Sequence, residues 1–131
     1  MSTIITKQKK FNELFLQLKK IVSDYELDPN YFIVYGSAPL VVHNILDDAN
    51  DLDVVICENH WPFSDKKKHS EGGIEFFDMW LPNVLNESPE YLIKNHSFTY
   101  EGIKFVNPNK VLSYKKKLNR KKDYEILKSI N

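Results

Sequence analysis

The stretch that decides the fold is "YGSAPLVVHNILDDANDLDVVI", Tyr35 to Ile56. It begins at the end of an apolar run, "YFIVYG" over 31–36, that glycine stops. A continuous apolar run of this length suits a strand covered on both faces. Ser37 is a residue type that caps helices, and Pro39 fits a first helical turn, where a missing N–H costs nothing. Leu40, Val41, Ile45 and Leu46 then outline a short helix that ends before "DDAND". "LDVVIC", 52–57, reads as a second buried strand, and Asp51 and Asp53 sit at its mouth. Residues two apart on a strand share a face, so the two carboxylates point together while Leu52 and Val54 point into the core. Like charges at that spacing repel. A divalent cation offsets the repulsion, and Mg²⁺ is typically held by one or two carboxylates plus substrate phosphates. The plain alternative is that both aspartates end a loop in water.

Outward from this stretch, apolar residues at Phe11, Leu14, Phe15, Leu18, Ile21 and Val22 recur at helical spacing between Lys7 and Asp24. "YELDPN" ends that helix, since Pro29 cannot continue it. Residues 59–73 are polar, with a proline, a lysine triplet and two glycines, and read as a loop. "GIEFFDMWL" reads as a third strand and "SPEYLI" as a helical turn opened by a serine cap. "SFTYEGIKFV", 97–106, reads as a hairpin turning at Glu101–Gly102. From Asn107 on, an asparagine cap and Pro108 open a helical segment, with a break expected near Asn119–Arg120. The order is helix, strand, helix, strand, loop, strand, hairpin, helices. It predicts an α/β (α+β) fold, a mixed sheet with flanking helices, in one domain over 1–131.

The composition fits that class. Of 131 residues, 42% are hydrophobic, and 18 basic residues balance 18 acidic ones. The overall charge therefore argues neither for nor against a polyanionic partner. A lone cysteine, Cys57, lies inside an apolar run and reads as a buried, inert thiol. The first residues have no apolar leader, and no run approaches the ~18 residues of a membrane span, so a cytoplasmic protein with no membrane partner is expected.

The upstream half of the opening stretch sharpens the chemistry. A strand ending in Gly36–Ser37 and entering a helix is suited to receive a phosphate. Followed by one short helix and Asp-x-Asp at the next strand, it joins a phosphate cradle to a metal-binding pair, the equipment of nucleotidyl or phosphoryl transfer. On these residues the chain resembles the nucleotidyltransferase superfamily, the polymerase-beta-like fold, whose hallmark is hydrophobic-Gly-Ser, a short helix, then Asp-x-Asp. The resemblance implies a third carboxylate on a following strand. "GIEFFDMW" offers Glu75 and Asp78, which have opposite parity, with Glu75 preferred and Asp78 in reserve. "VLSYKKKLNRKKDYEIL" resembles the Lys-x4-Arg-x-Lys-Asp stretch of minimal stand-alone members that include abortive-infection toxins. Lys115, Arg120, Lys122 and Asp123 fall on that pattern, and a solvated helix face is the plain alternative.

The resemblance implies Mg²⁺, or Mn²⁺, held by Asp51, Asp53 and Glu75. It implies a nucleoside triphosphate bound by Gly36, Ser37, Arg120 and Lys122, and Lys115 and Asp123 as further catalytic-site residues. The acceptor of the nucleotidyl group would be a hydroxyl, with RNA or tRNA as one candidate. A catalytically inactive nucleotide- or RNA-binding module of the same fold, such as a toxin–antitoxin component acting with a partner protein, is the second reading. A structural domain in which the aspartates merely cap a loop is the third. His43, His60, His69 and His96 lack cysteine companions and ligand spacing. "DKKKH" and "KKKLNRKK" are the concentrated positive charge available to RNA phosphates, and Trp61, Phe63 and Tyr114 are aromatics that could stack bases or fill the core.

Overall fold

The computed structural model describes residues 8–65, 68–78 and 87–118. Around one sheet, helix α1 (Lys9–Asp24), strand β1 (Phe32–Tyr35), helix α2 (Ala38–Val42) and strand β2 (Leu52–Ile56) follow in order. Strands β3 (Lys68–Glu71) and β4 (Ile74–Phe77), helix α3 (Pro89–Asn95), strands β5 (Ser97–Tyr100) and β6 (Ile103–Val106), and helix α4 (Pro108–Leu118) complete it. The sheet has six strands in the order β3-β4-β2-β1-β6-β5. Its three antiparallel pairs are β1/β2, β3/β4 and β5/β6. The pairs join through parallel neighbours, β1 beside β6 and β2 beside β4. The expected α+β class with a mixed sheet is what the chain adopts.

Both faces of the sheet are covered, which is why its central strands read as unbroken apolar runs. On one face Phe11, Leu14, Phe15, Leu18 and Ile21 of α1 pack on Phe32, Val34, Leu52, Val54, Ile56, Ile74, Phe76 and Phe105. On the other, Ile33, Tyr35, Val55 and Val106 meet Leu40, Leu92, Val111 and Tyr114 from α2, α3 and α4. Fully burying each such side chain contributes about 1.5–3 kcal/mol. Phe63 and Tyr114 are buried in these clusters, so they serve the core.

Three local expectations need correcting. Helix α2 ends at Val42 and does not take in Ile45 and Leu46. Residues 59–73 are not all loop: Lys68–Glu71 form the edge strand β3, antiparallel to β4. The turn between them is Gly72–Gly73, both with positive φ. Ser37 makes no side-chain cap to α2; its hydroxyl is engaged elsewhere, as described below. Two other signals hold as read. Ser88 caps α3 through the Tyr91 amide at 3.2 Å. The hairpin turns at Glu101–Gly102, both left-handed.

Helix α1 receives its cap from afar. Asp48, in the segment joining α2 to β2, accepts hydrogen bonds from the amides of Lys10 at 3.0 Å and Phe11 at 2.8 Å. This clamps the approach to Asp51 and Asp53 against the start of α1. Among the described residues no helix is long and apolar enough to cross a membrane.

Candidate active site

Strands β1 and β2 run antiparallel, so the end of β1 and the start of β2 lie side by side, with Tyr35 paired to Asp53. Gly36 leaves β1 with φ of +79°. That is left-handed backbone, which glycine adopts without strain. It also sits against the Asp53 carboxylate: a Cβ built on Gly36 would lie 3.0 Å from Asp53 Oδ2. Glycine is therefore required here twice over, by torsion and by space.

Strand β4 adds the next carboxylate. It is parallel to β2, and its register sets Glu75 opposite Asp53. Cross-strand partners share a face, so the two carboxylates flank one patch. Asp78 lies just past the end of β4, three residues beyond Glu75, about 10 Å further along the strand direction. Asp78 Oδ1 is buried without a hydrogen-bond partner among the described residues. Of the two candidates, register brings Glu75 to the aspartates and leaves Asp78 apart.

Tyr35 reports the field of this patch. Its phenol is held well above the ordinary tyrosine range, first by burial and then by the charges of Asp53, Glu75 and Asp51. The charges of the three carboxylates expected from the sequence thus all bear on one buried hydroxyl. Sequence reading treated Tyr35 only as the last apolar residue of a strand. Its position facing Asp53 across the sheet was the signal available.

The opposite charge arrives from α4. Lys115 is only 5% exposed. Its ammonium donates to Ser37 Oγ at 3.1 Å, across 78 residues of chain. A buried lysine is costly unless its charge is compensated. Ser37, accepting from Lys115, keeps its own hydroxyl proton to donate. Arg120, Lys122 and Asp123, also expected here, lie outside the described residues.

A second lysine touches the site from the sheet edge. Lys68 on β3 pairs with Glu75 at 2.8 Å. The lysine is 56% and the glutamate 37% exposed, so the pair is worth at most about 1 kcal/mol and exchanges readily. Among the described residues no three His, Cys, Asp or Glu side chains gather closely enough to hold a metal ion by themselves. The donor set nonetheless suits a hard cation. Asp51 and Asp53 supply the one or two carboxylates that Mg²⁺ usually takes from protein, leaving substrate phosphates to complete its shell.

No protein-family model matches the chain, and neither does any curated protein or solved structure.

Proposed function

We propose that the protein is a Mg²⁺-dependent nucleotidyltransferase that moves a nucleoside monophosphate from a triphosphate to an acceptor hydroxyl in the cytoplasm. One observation carries the reading. Two stretches resemble the same family independently, and in the fold they meet, Lys115 of the second donating to Ser37 of the first. In this reading Asp51 and Asp53 hold Mg²⁺, or Mn²⁺, with Glu75 beside Asp53 in register. Bound there, the metal would neutralise charge on the triphosphate and make the attacking hydroxyl more acidic. Gly36 lets a phosphate approach the backbone, and Ser37 donates to a phosphate oxygen. Lys115 stabilises the negative charge that develops on the leaving pyrophosphate. The acceptor oxygen forms a bond to the α-phosphorus as the bond to pyrophosphate breaks. The acceptor's proton passes to a site carboxylate.

A binding module without chemistry is the second reading. It is favoured by the Lys68–Glu75 pair, which occupies the third carboxylate. The test is incubation with each α-labelled triphosphate, Mg²⁺ and total cellular RNA, beside an Asp51→Asn/Asp53→Asn variant. Label on RNA with the wild type alone supports transfer. No label, with a triphosphate-induced thermal shift that the variant lacks, supports the binding module. Neither label nor shift would end both.

A further inference from the structure

A concavity opens at the same end of the strands as the carboxylates. It has a volume of about 550 Å³ and is lined by His43, His96, Asn107, Asn109 and Lys110, with Ile45 and Pro108 as apolar wall. Its position follows from topology. His96 immediately precedes β5, and Asn107 to Lys110 immediately follow β6. Ser97 and Val106, the neighbouring strand residues, pair directly. Because β6 runs parallel to β1, this rim continues the one where Gly36 and Ser37 leave β1. From β2 to β6 is two strand steps, about 10 Å. About three units of a stacked nucleic-acid strand, at ~3.4 Å each, cover that distance. Two helices connect the pocket and the carboxylate patch. Helix α2 has Ser37 before it and His43 after it, and α4 carries both Lys110 and Lys115.

The lining points to a nucleotide unit more than to a bare anion. The Lys110 ammonium is already paired with Glu87, so the pocket has little uncompensated positive charge to attract an isolated phosphate. The two imidazoles and two amides can each donate and accept hydrogen bonds, the mixed pattern that a nucleobase edge presents. The His43 ring stands edge-on to Phe98, centroids 4.4 Å apart at 88°, which fixes its plane. His96 Nε2 lies 3.4 Å from Tyr91 Oη. Ile45 and Pro108 offer flat apolar surface to a base or ribose, and the volume falls in the ordinary range for small-ligand sites.

We infer that this pocket holds a nucleotide unit of the acceptor, whether a free nucleotide or a unit near the end of a single-stranded RNA. As an acceptor subsite it rests on the nucleotidyl-transfer reading; as a nucleotide pocket it stands apart from it. The site is tested with a 5′-labelled single-stranded RNA hexamer by fluorescence anisotropy, and with adenosine monophosphate by calorimetry. The comparison is a His96→Ala/Asn109→Ala variant, whose changes lie outside the carboxylate patch. We expect the variant to bind at least one of the two ligands about tenfold more weakly, as loss of a typical buried hydrogen bond does. The thermal shift with Mg²⁺ and triphosphate should be unchanged. A defect confined to the hexamer assigns the pocket to an RNA end, and one seen with the monophosphate assigns it to a free nucleotide. Equal binding of both ligands by wild type and variant, or no binding of either by the wild type, overturns the inference. A wild type that binds the hexamer in the variant-sensitive way but shows neither triphosphate shift nor transfer keeps the pocket and removes the transfer reading.

Discussion

Asp53 and Glu75 stand opposite one another on adjacent parallel strands, and the carboxylate of Asp53 lies against the backbone of Gly36. Register, and not chain proximity, thus sets Glu75 rather than Asp78 opposite Asp53. Glu75→Gln should lower nucleotidyl transfer on the order of a hundredfold, the size associated with removing one preorganised charged group. Asp78→Asn should leave transfer within a few-fold of wild type. The reverse ranking would show that the assignment of Glu75 is wrong.

Gly36→Ala should be destabilising by about 1–2 kcal/mol, because alanine is strained at a left-handed φ. Its methyl would also press on Asp53 Oδ2 from 3.0 Å. The urea midpoint of unfolding reads the first effect, and the triphosphate-induced thermal shift reads the second. An unshifted midpoint would mean that the turn relaxes.

Lys115→Met should separate stability from function. The substitution keeps most of the side-chain volume but breaks the hydrogen bond to Ser37, so the melting temperature should fall by a few degrees. Transfer, and the thermal shift with Mg²⁺ and triphosphate, should be lost. A variant that melts far below wild type yet still binds triphosphate would make Lys115 a structural residue.

The central strands and the Gly-Ser elbow were legible because burial on both faces leaves a continuous apolar run, as in Phe32–Tyr35 and, past Asp53, Val54–Ile56. β3 was not. Its sequence, Lys-His-Ser-Glu, carries no apolar alternation, and its exposure simply alternates between exposed and partly buried. Pairing with β4 makes it a strand, which no local pattern encodes. The same holds for Asp48. Its neighbours in sequence suggest a loop end, while its partners, the amides of Lys10 and Phe11, lie in the first turn of α1, remote in the chain. Within the site, residue types and spacing named Gly36, Ser37, Asp51 and Asp53, while Lys115 was named only through the family resemblance. They could not show that Lys115 would spend a hydrogen bond on Ser37, or that Lys68 would cross from the edge strand to Glu75. Both are contacts between residues remote or differently patterned in the chain.

Asp48→Ala should destabilise the protein by about 1 kcal/mol, as loss of a helix N-cap does. Burial alone would raise this carboxyl, yet the amides of Phe11, Lys10 and Ala49 hold it below the ordinary aspartate value of 3.8. The folded value is the lower one, so the contribution is present above pH ~4 and fades as the pH falls through the folded value. Urea midpoints of wild type and variant should therefore converge in acid. A gap that stays constant down to pH 2 would exclude the charged cap.

His69 should titrate above its ordinary 6.5. Partial burial opposes its charge, but hydrogen bonds to Glu71 at 2.9 Å and Asp65 at 2.7 Å outweigh it. The ring also stacks on Phe63, with centroids 3.9 Å apart. A raised value means that the clasp stabilises the fold fully below pH ~6.5 and releases as the pH climbs through the folded value. An NMR titration of the His69 ring proton measures this directly. A midpoint at or below 6.5 would dissolve the clasp.

The contact between Lys115 and Ser37 also bears on when this patch is completed during synthesis. Chains leave the ribosome N-terminal end first. Gly36, Ser37, Asp51, Asp53 and Glu75 emerge together, on strands that pair with one another, while the lysine that completes the patch is 78 residues behind the serine it touches. A nascent chain therefore displays carboxylates without their cation-bearing helix. Translation thus delays completion of this patch until α4 has been made and has docked.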